Sequence, residues 1–77
     1  MYTIYGKQGC SNCAKAKQFL DQKGIEYEYI DLGTNPEALE FILSRGYRQV
    51  PQVFLDGQHI GTYAGLVGHV LGENNGR

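Results

Sequence analysis

Cysteine is scarce in this chain: two in 77 residues, too few for a secreted scaffold stapled by disulfides. A charge excess is missing as well. Seven basic and eight acidic side chains leave a net charge of −1, so no overall field recruits nucleic acid or an anionic membrane. Long apolar runs are absent, none approaching the roughly 18 residues that span a bilayer. The N-terminus lacks the basic and apolar regions of a signal peptide, which makes a soluble cytoplasmic monomer the expectation. Repeats, linkers and low-complexity segments are not seen either, leaving one domain over 1–77, near the lower size limit for a self-sufficient core. With 42% hydrophobic and 19% charged residues, the composition is that of a folded chain, not a disordered one.

What is present concentrates in Tyr5-Gly6-Lys7-Gln8-Gly9-Cys10-Ser11-Asn12-Cys13. Two thiols separated by two residues either close a ring disulfide or offer two thiolates to a metal. The flanking pattern favours redox chemistry. A strand over 1–5 followed by a helix from Ser11 places Cys10 at a helix N-terminus, where free N–H groups and the macrodipole favour negative charge. Cysteines so placed titrate at roughly 3.5–7.5 instead of about 8.5, and the thiolate is the attacking species in thiol–disulfide exchange. Lys7, and more distantly Lys15 or Lys17, add positive charge. Cys13, one turn further in, is expected to be more buried and to resolve the mixed disulfide that Cys10 forms. A purely structural bridge is disfavoured, since closing so small a loop removes little chain entropy.

Beyond the cysteines, Cys13, Ala16, Phe19 and Leu20 recur at helical spacing up to about Lys23, and Gly24 stops the helix. Residues 25–31 alternate, with Ile25, Tyr27 and Tyr29 on one face, predicting a second strand parallel to the first through a right-handed crossover. Thr34-Asn35-Pro36-Glu37 opens a helix, capped either by Thr34 with Glu37 reaching back or by Asn35 with Pro36 at the first helical position. Leu39, Ile42 and Leu43 form its expected buried stripe, and Gly46 closes it. Residues 49–60 hold two β-like runs around Asp56-Gly57, a hairpin pattern. Leu66, Val67, Val70 and Leu71 fit a last helix weakened by Gly65, Gly68 and Gly72, whose stability must come from close docking on the sheet. Residues 73–77 read as a frayed tail. Tyr5, Tyr47 and Tyr63 are candidates to ring the thiols, and Tyr2, Tyr27 and Tyr29 to pack in or on the sheet. The order is α/β: β-α-β-α-β-β-α with a mixed four-stranded sheet, the cysteines lying at the carboxyl end of the first strand, where crevices of such sheets open.

In these motifs the sequence resembles the glutaredoxin branch of the thioredoxin fold, over residues 1–71. Lys7-Gln8-Gly9-Cys10-Ser11-Asn12-Cys13 is similar to the family's active-site motif. Val50-Pro51 is similar to its Val-Pro segment, which implies a cis proline beside the active-site pair. Asp56-Gly57 through Ile60-Gly61 is similar to its hairpin. The resemblance implies a dithiol disulfide oxidoreductase with Cys10 and Cys13 catalytic and a substrate groove lined by Lys7, Gln49, Val50, Pro51, Gly61, Thr62 and Tyr63. It implies no bound cofactor or metal. The implied electron source is glutathione or thioredoxin reductase, and the implied partners are disulfide-containing proteins such as ribonucleotide reductase. Two departures stand out. Ser11-Asn12 replaces the usual Pro-Tyr between the cysteines, and Gly61-Thr62-Tyr63-Ala64-Gly65 lacks the acidic residue that commonly grips the amino end of glutathione. Residues 46–51 are also similar to the short redoxins that serve ribonucleotide reductase. The rival expectation is a metal module: zinc held by Cys10 and Cys13 with His59 and His69, although the histidines miss zinc-finger spacing, or, by analogy with the family, an iron–sulfur cluster bridging two copies through Cys10.

Overall fold

The computed structural model describes residues 1–75. Strand β1 (Tyr2–Gly6) leads through α1 (Ser11–Gln22) to β2 (Tyr27–Asp31), and α2 (Pro36–Ser44) then precedes the hairpin β3 (Gln52–Leu55) and β4 (Gln58–Gly61). Helix α3 (Tyr63–Asn75) closes the order. The sheet runs β2-β1-β3-β4, with β2 parallel to β1 and the other pairs antiparallel. This is the predicted architecture. The last helix continues past Leu71, so its backbone takes up residues 73–75 of the expected tail; 76 and 77 lie outside the described residues.

Both sheet faces are covered, as strand alternation requires. Tyr2, Ile4 and Val53 pack with Ala16, Leu20, Leu66 and Val70 beneath α1 and α3. On the opposite face Leu32, Ile42 and Phe54 pack with Tyr5, Phe41 and Tyr47 beneath α2. Helices α1 and α2 stop alike. Gly24 and Gly46 take positive φ, and the next residue's N–H returns to a helical carbonyl, Ile25 to Leu20 at 3.0 Å and Tyr47 to Ile42 at 3.2 Å. That return uses Ile25, so β2 begins at Tyr27 and not at 25. Of the two caps open for α2, Asn35 is the one used: its Oδ1 accepts from the Ala38 N–H at 3.0 Å, with Pro36 starting the helix.

The stripe expected on α2 is only partly buried. Ile42 is inside, but Leu39 and Leu43 remain 40% and 49% exposed. Ala38, Phe41 and Ile42 face the sheet, and a residue one step further along a helix is turned by about 100° away from it. The close docking expected of the α3 glycines holds at one of them. A Cβ on Gly65 would stand 2.7 Å from the Ile60 carbonyl oxygen, whereas Gly68 and Gly72 face open space.

Candidate functional site

The turn from β1 into α1 carries both thiols. Cys10 is the N-cap, with extended backbone, and its Sγ accepts the N–H of Cys13 at 3.1 Å. This is one of the helix donors that α1's own ladder leaves unpaired, and it points at the sulfur where negative charge is useful. Cys10 is half-buried, and its thiol donates to the Val50 carbonyl at 3.8 Å. The Val50–Pro51 bond is cis. Thus Cys10, Cys13 and the Val50-Pro51 step, 40 residues apart in sequence, meet at one place.

Cys13 lies inward at 1% exposure. Its sulfur occupies room that exists because Gly6 has no side chain: a Cβ there would sit 2.7 Å from Cys13 Sγ and 2.6 Å from Tyr29 Oη. Tyr29 reaches this spot from β2, where it pairs with Ile4 in the parallel register, and Lys17 Nζ lies 4.1 Å from its ring centroid. Tyr29 is the site neighbour that sequence reasoning missed. Its hydroxyl reaches the second sulfur, not the outer surface of the sheet, and the available signal was a glycine ending the strand that enters the cysteine turn.

Burial, reinforced by Cys10, pushes the Cys13 thiol up from 9.0 to about 11, while the Lys7 N–H and the Tyr29 hydroxyl pull it down. Burial and the adjacent Cys13 raise Tyr29 from 10.0 to about 12. The unfolded chain therefore loses these protons first. Because the native state holds the extra proton, stability falls as pH climbs through the window from 9 to about 11, with Tyr29 extending the loss upward. Urea midpoints of the reduced protein should decline across that range, and Cys13→Ala should flatten the decline between pH 9 and about 11. Equal slopes in the two proteins would contradict the burial assignment.

The other expected residues divide into two groups. Lys7, Gln49 and Val50 line one groove with Tyr47 and Arg48. The Gln49 carbonyl is held by Gln52 Nε2 at 2.9 Å, and Gln52 Oε1 pairs with His59 Nε2 at 2.7 Å. Gln52, 4% exposed, is thus the buried polar anchor of the loop that carries Val50. Sequence reading passed over it as one more strand residue. Gly61, Thr62 and Tyr63 join β4 to α3, with the Tyr63 ring edge-on to Phe19 beside Lys15, Gln18 and Gln22 on the outer side of α1. Tyr5 packs against Phe41 and Phe54, so it belongs to the core. His59 stacks on Tyr47 at 4.4 Å, and His69 lies edge-on to Tyr2. Among the described residues no group of three or more His, Cys, Asp or Glu side chains gathers to hold a metal ion, so Cys10, Cys13, His59 and His69 do not assemble into a zinc set. Nor is any described helix long and apolar enough to cross a membrane.

A dithiol at the mouth of α1, a Val-cis-Pro step against the first sulfur and a β2-β1-β3-β4 sheet together define a thioredoxin-fold protein. Within that fold the chain belongs to the glutaredoxin family, whose family model matches residues 2–60. It is 39% identical to glutaredoxin 3 of Escherichia coli over 59 residues, covering 75% of this chain and 71% of that protein. It is 46% identical to hybrid peroxiredoxin hyPrx5 of Haemophilus influenzae, also over 59 residues, covering 77% of this chain but only 24% of the longer relative. Among solved structures, the NrdH-redoxin of Escherichia coli superposes with a TM-score of 0.79 at 27% identity, covering 91% of this chain and 92% of the other. A buckwheat glutaredoxin–glutathione complex superposes at 0.77 with 28% identity, covering 94% and 70%.

Proposed function

We propose that this protein is a dithiol oxidoreductase that reduces disulfides in partner proteins or mixed with glutathione. The observation that carries this reading is the asymmetry of the two sulfurs: Cys10 is reachable and accepts a helix N–H, while Cys13 is 1% exposed with its thiol pushed up to about 11. Cys10 thiolate attacks one sulfur of the substrate, forming a new S–S bond and expelling the other sulfur as a thiolate. Cys13 gives up its proton and attacks Cys10, which closes the Cys10–Cys13 disulfide and frees the second substrate thiol. Two electrons pass from the protein dithiol to the substrate disulfide. Val50 and Pro51 flank the incoming sulfur and Lys7 and Gln49 line its approach; the likeness to the glutaredoxin family adds Gly61, Thr62 and Tyr63 as the far border of the substrate groove.

Two electron sources fit this site: glutathione, or a thioredoxin reductase acting on the oxidised pair. The glutaredoxin relatives favour the first. The missing acid after Gly61 and the likeness to the NrdH-redoxin, a glutaredoxin-like protein with a thioredoxin-like activity profile, favour the second. Disulfide-bearing proteins, ribonucleotide reductase among them, are the partners, and a reducing compartment such as the cytoplasm is the setting. The test is reduction of bis(2-hydroxyethyl) disulfide with glutathione and its reductase, run beside reduction of insulin with NADPH and thioredoxin reductase. Turnover in at least one arm is expected, and the faster arm names the reductant. Inactivity in both would refute the oxidoreductase assignment.

A further inference from the structure

Two leucines one helical turn apart on α2, Leu39 and Leu43, stay 40% and 49% exposed in a protein this small. They do not stand alone. They form one wall of a groove of about 350 Å³ whose floor is Leu32 and Ile42 and whose opposite wall is the 47–50 loop. Val50 belongs to that loop, and its carbonyl is 3.8 Å from Cys10 Sγ, so one end of the groove lies beside the residue that meets the attacking sulfur. Its charge is ordered too. Lys7 and Arg48 border the groove itself, whereas the outer side of the leucines is bordered by Glu40.

We propose that this groove seats an extended segment of a disulfide-bearing client protein, with an acidic residue close to the reactive cysteine and a leucine-like residue beyond it. The inference rests on the oxidoreductase reading above and specifies which substrates it prefers. Exposed leucines at a groove gain by covering, and an apolar anchor in such a groove is what gives a short segment its affinity. The cations select the acid near the sulfur, and Glu40 discourages a second acid beyond the leucines. A small disulfide with no chain attached reaches Cys10 without touching Leu39 or Leu43, so the groove adds client preference and leaves the chemistry alone.

The test uses single turnovers of the full-length reduced protein on two synthetic peptides, Cys-Gly-Asp-Gly-Leu-Leu and Cys-Gly-Asp-Gly-Ser-Ser, each joined through its cysteine to 5-thio-2-nitrobenzoate. Cys10 bonds to the peptide sulfur, the coloured arylthiolate leaves, and Cys13 then releases the peptide thiol, so no outside reductant is consumed. The leucine peptide should half-saturate the wild-type protein at roughly tenfold lower concentration than the serine peptide, the scale expected for burying apolar side chains. L39S/L43S should erase that preference while reducing bis(2-hydroxyethyl) disulfide at the wild-type rate. Equal half-saturation of the two peptides on the wild-type protein overturns the proposal whatever the variant does. Retention of the preference in L39S/L43S overturns it as well, as does a dimer in sedimentation that the variant dissolves, which would give this face to a second copy. Failure of the wild-type protein to reduce even the small disulfide would instead strike the functional reading beneath it.

Discussion

Cys10→Ser is expected to lower disulfide reduction by at least about a thousandfold, whereas Cys13→Ser keeps the first attack and accumulates a mixed disulfide on Cys10. The roles do not interchange, for two physical reasons. Cys13 is 1% exposed, so a substrate sulfur has no line of approach to it. With its thiol pushed up to about 11, it is also almost wholly protonated at neutral pH, its thiolate on the order of one part in ten thousand. Once a substrate is attached to Cys10 the situation reverses. The Cys10 sulfur is then the electrophile one turn away, and proximity replaces ionisation as the driving factor. Mass spectrometry after mixing with bis(2-hydroxyethyl) disulfide should find one 2-mercaptoethanol adduct on Cys13→Ser and none on Cys10→Ser. Substantial turnover by Cys10→Ser, or an adduct on its remaining sulfur, would refute the division of labour.

Local features of this structure were legible in the sequence because local physics decides them. The helix after Ser11, the Gly24 and Gly46 stops and the Asp56-Gly57 hairpin each depend on a few adjacent residues; Asp56 and Gly57 both take positive φ, as the tight turn requires. The α2 stripe was harder. Ala38, Leu39, Phe41, Ile42 and Leu43 make an apolar band too wide to bury, and periodicity gives its existence without saying which edge faces the sheet. The sheet chose Phe41 and Ile42, which freed Leu39 and Leu43. Tyr29 and Gln52 escaped for a different reason. Tyr29 is an ordinary member of an alternating strand until the parallel register sets it beside Gly6 and Cys13, and Gln52 looks exposed until His59 and the Gln49 carbonyl surround it. Such contacts are made by the fold, so no window of neighbouring residues contains them.

Gly6→Ala is expected to cost about 1–3 kcal/mol, the usual range for an extra carbon forced into a filled core. The new Cβ would meet Tyr29 Oη at 2.6 Å, Cys13 Sγ at 2.7 Å and Cys13 Cβ at 3.1 Å. The tyrosine oxygen is the far end of a long side chain, but Cys13 is fixed to the first turn of α1, so relief there means moving the helix that carries both sulfurs. For a domain of this size 1 kcal/mol corresponds to roughly 4–8 °C in Tm, making the loss plain in a thermal melt of the reduced protein. Tyr29→Phe added to Gly6→Ala removes one of the three contacts and should restore part of the loss, while Cys13→Ala removes the sulfur and should restore more. The catalytic consequence follows from the same displacement. A Cys13 pushed off its position closes the disulfide more slowly, so Gly6→Ala should build up the Cys10 mixed disulfide that Cys13→Ser accumulates outright. A Gly6→Ala protein that melts with the wild type and resolves its adduct at the wild-type rate would show that the space beside the second sulfur is not what this glycine provides.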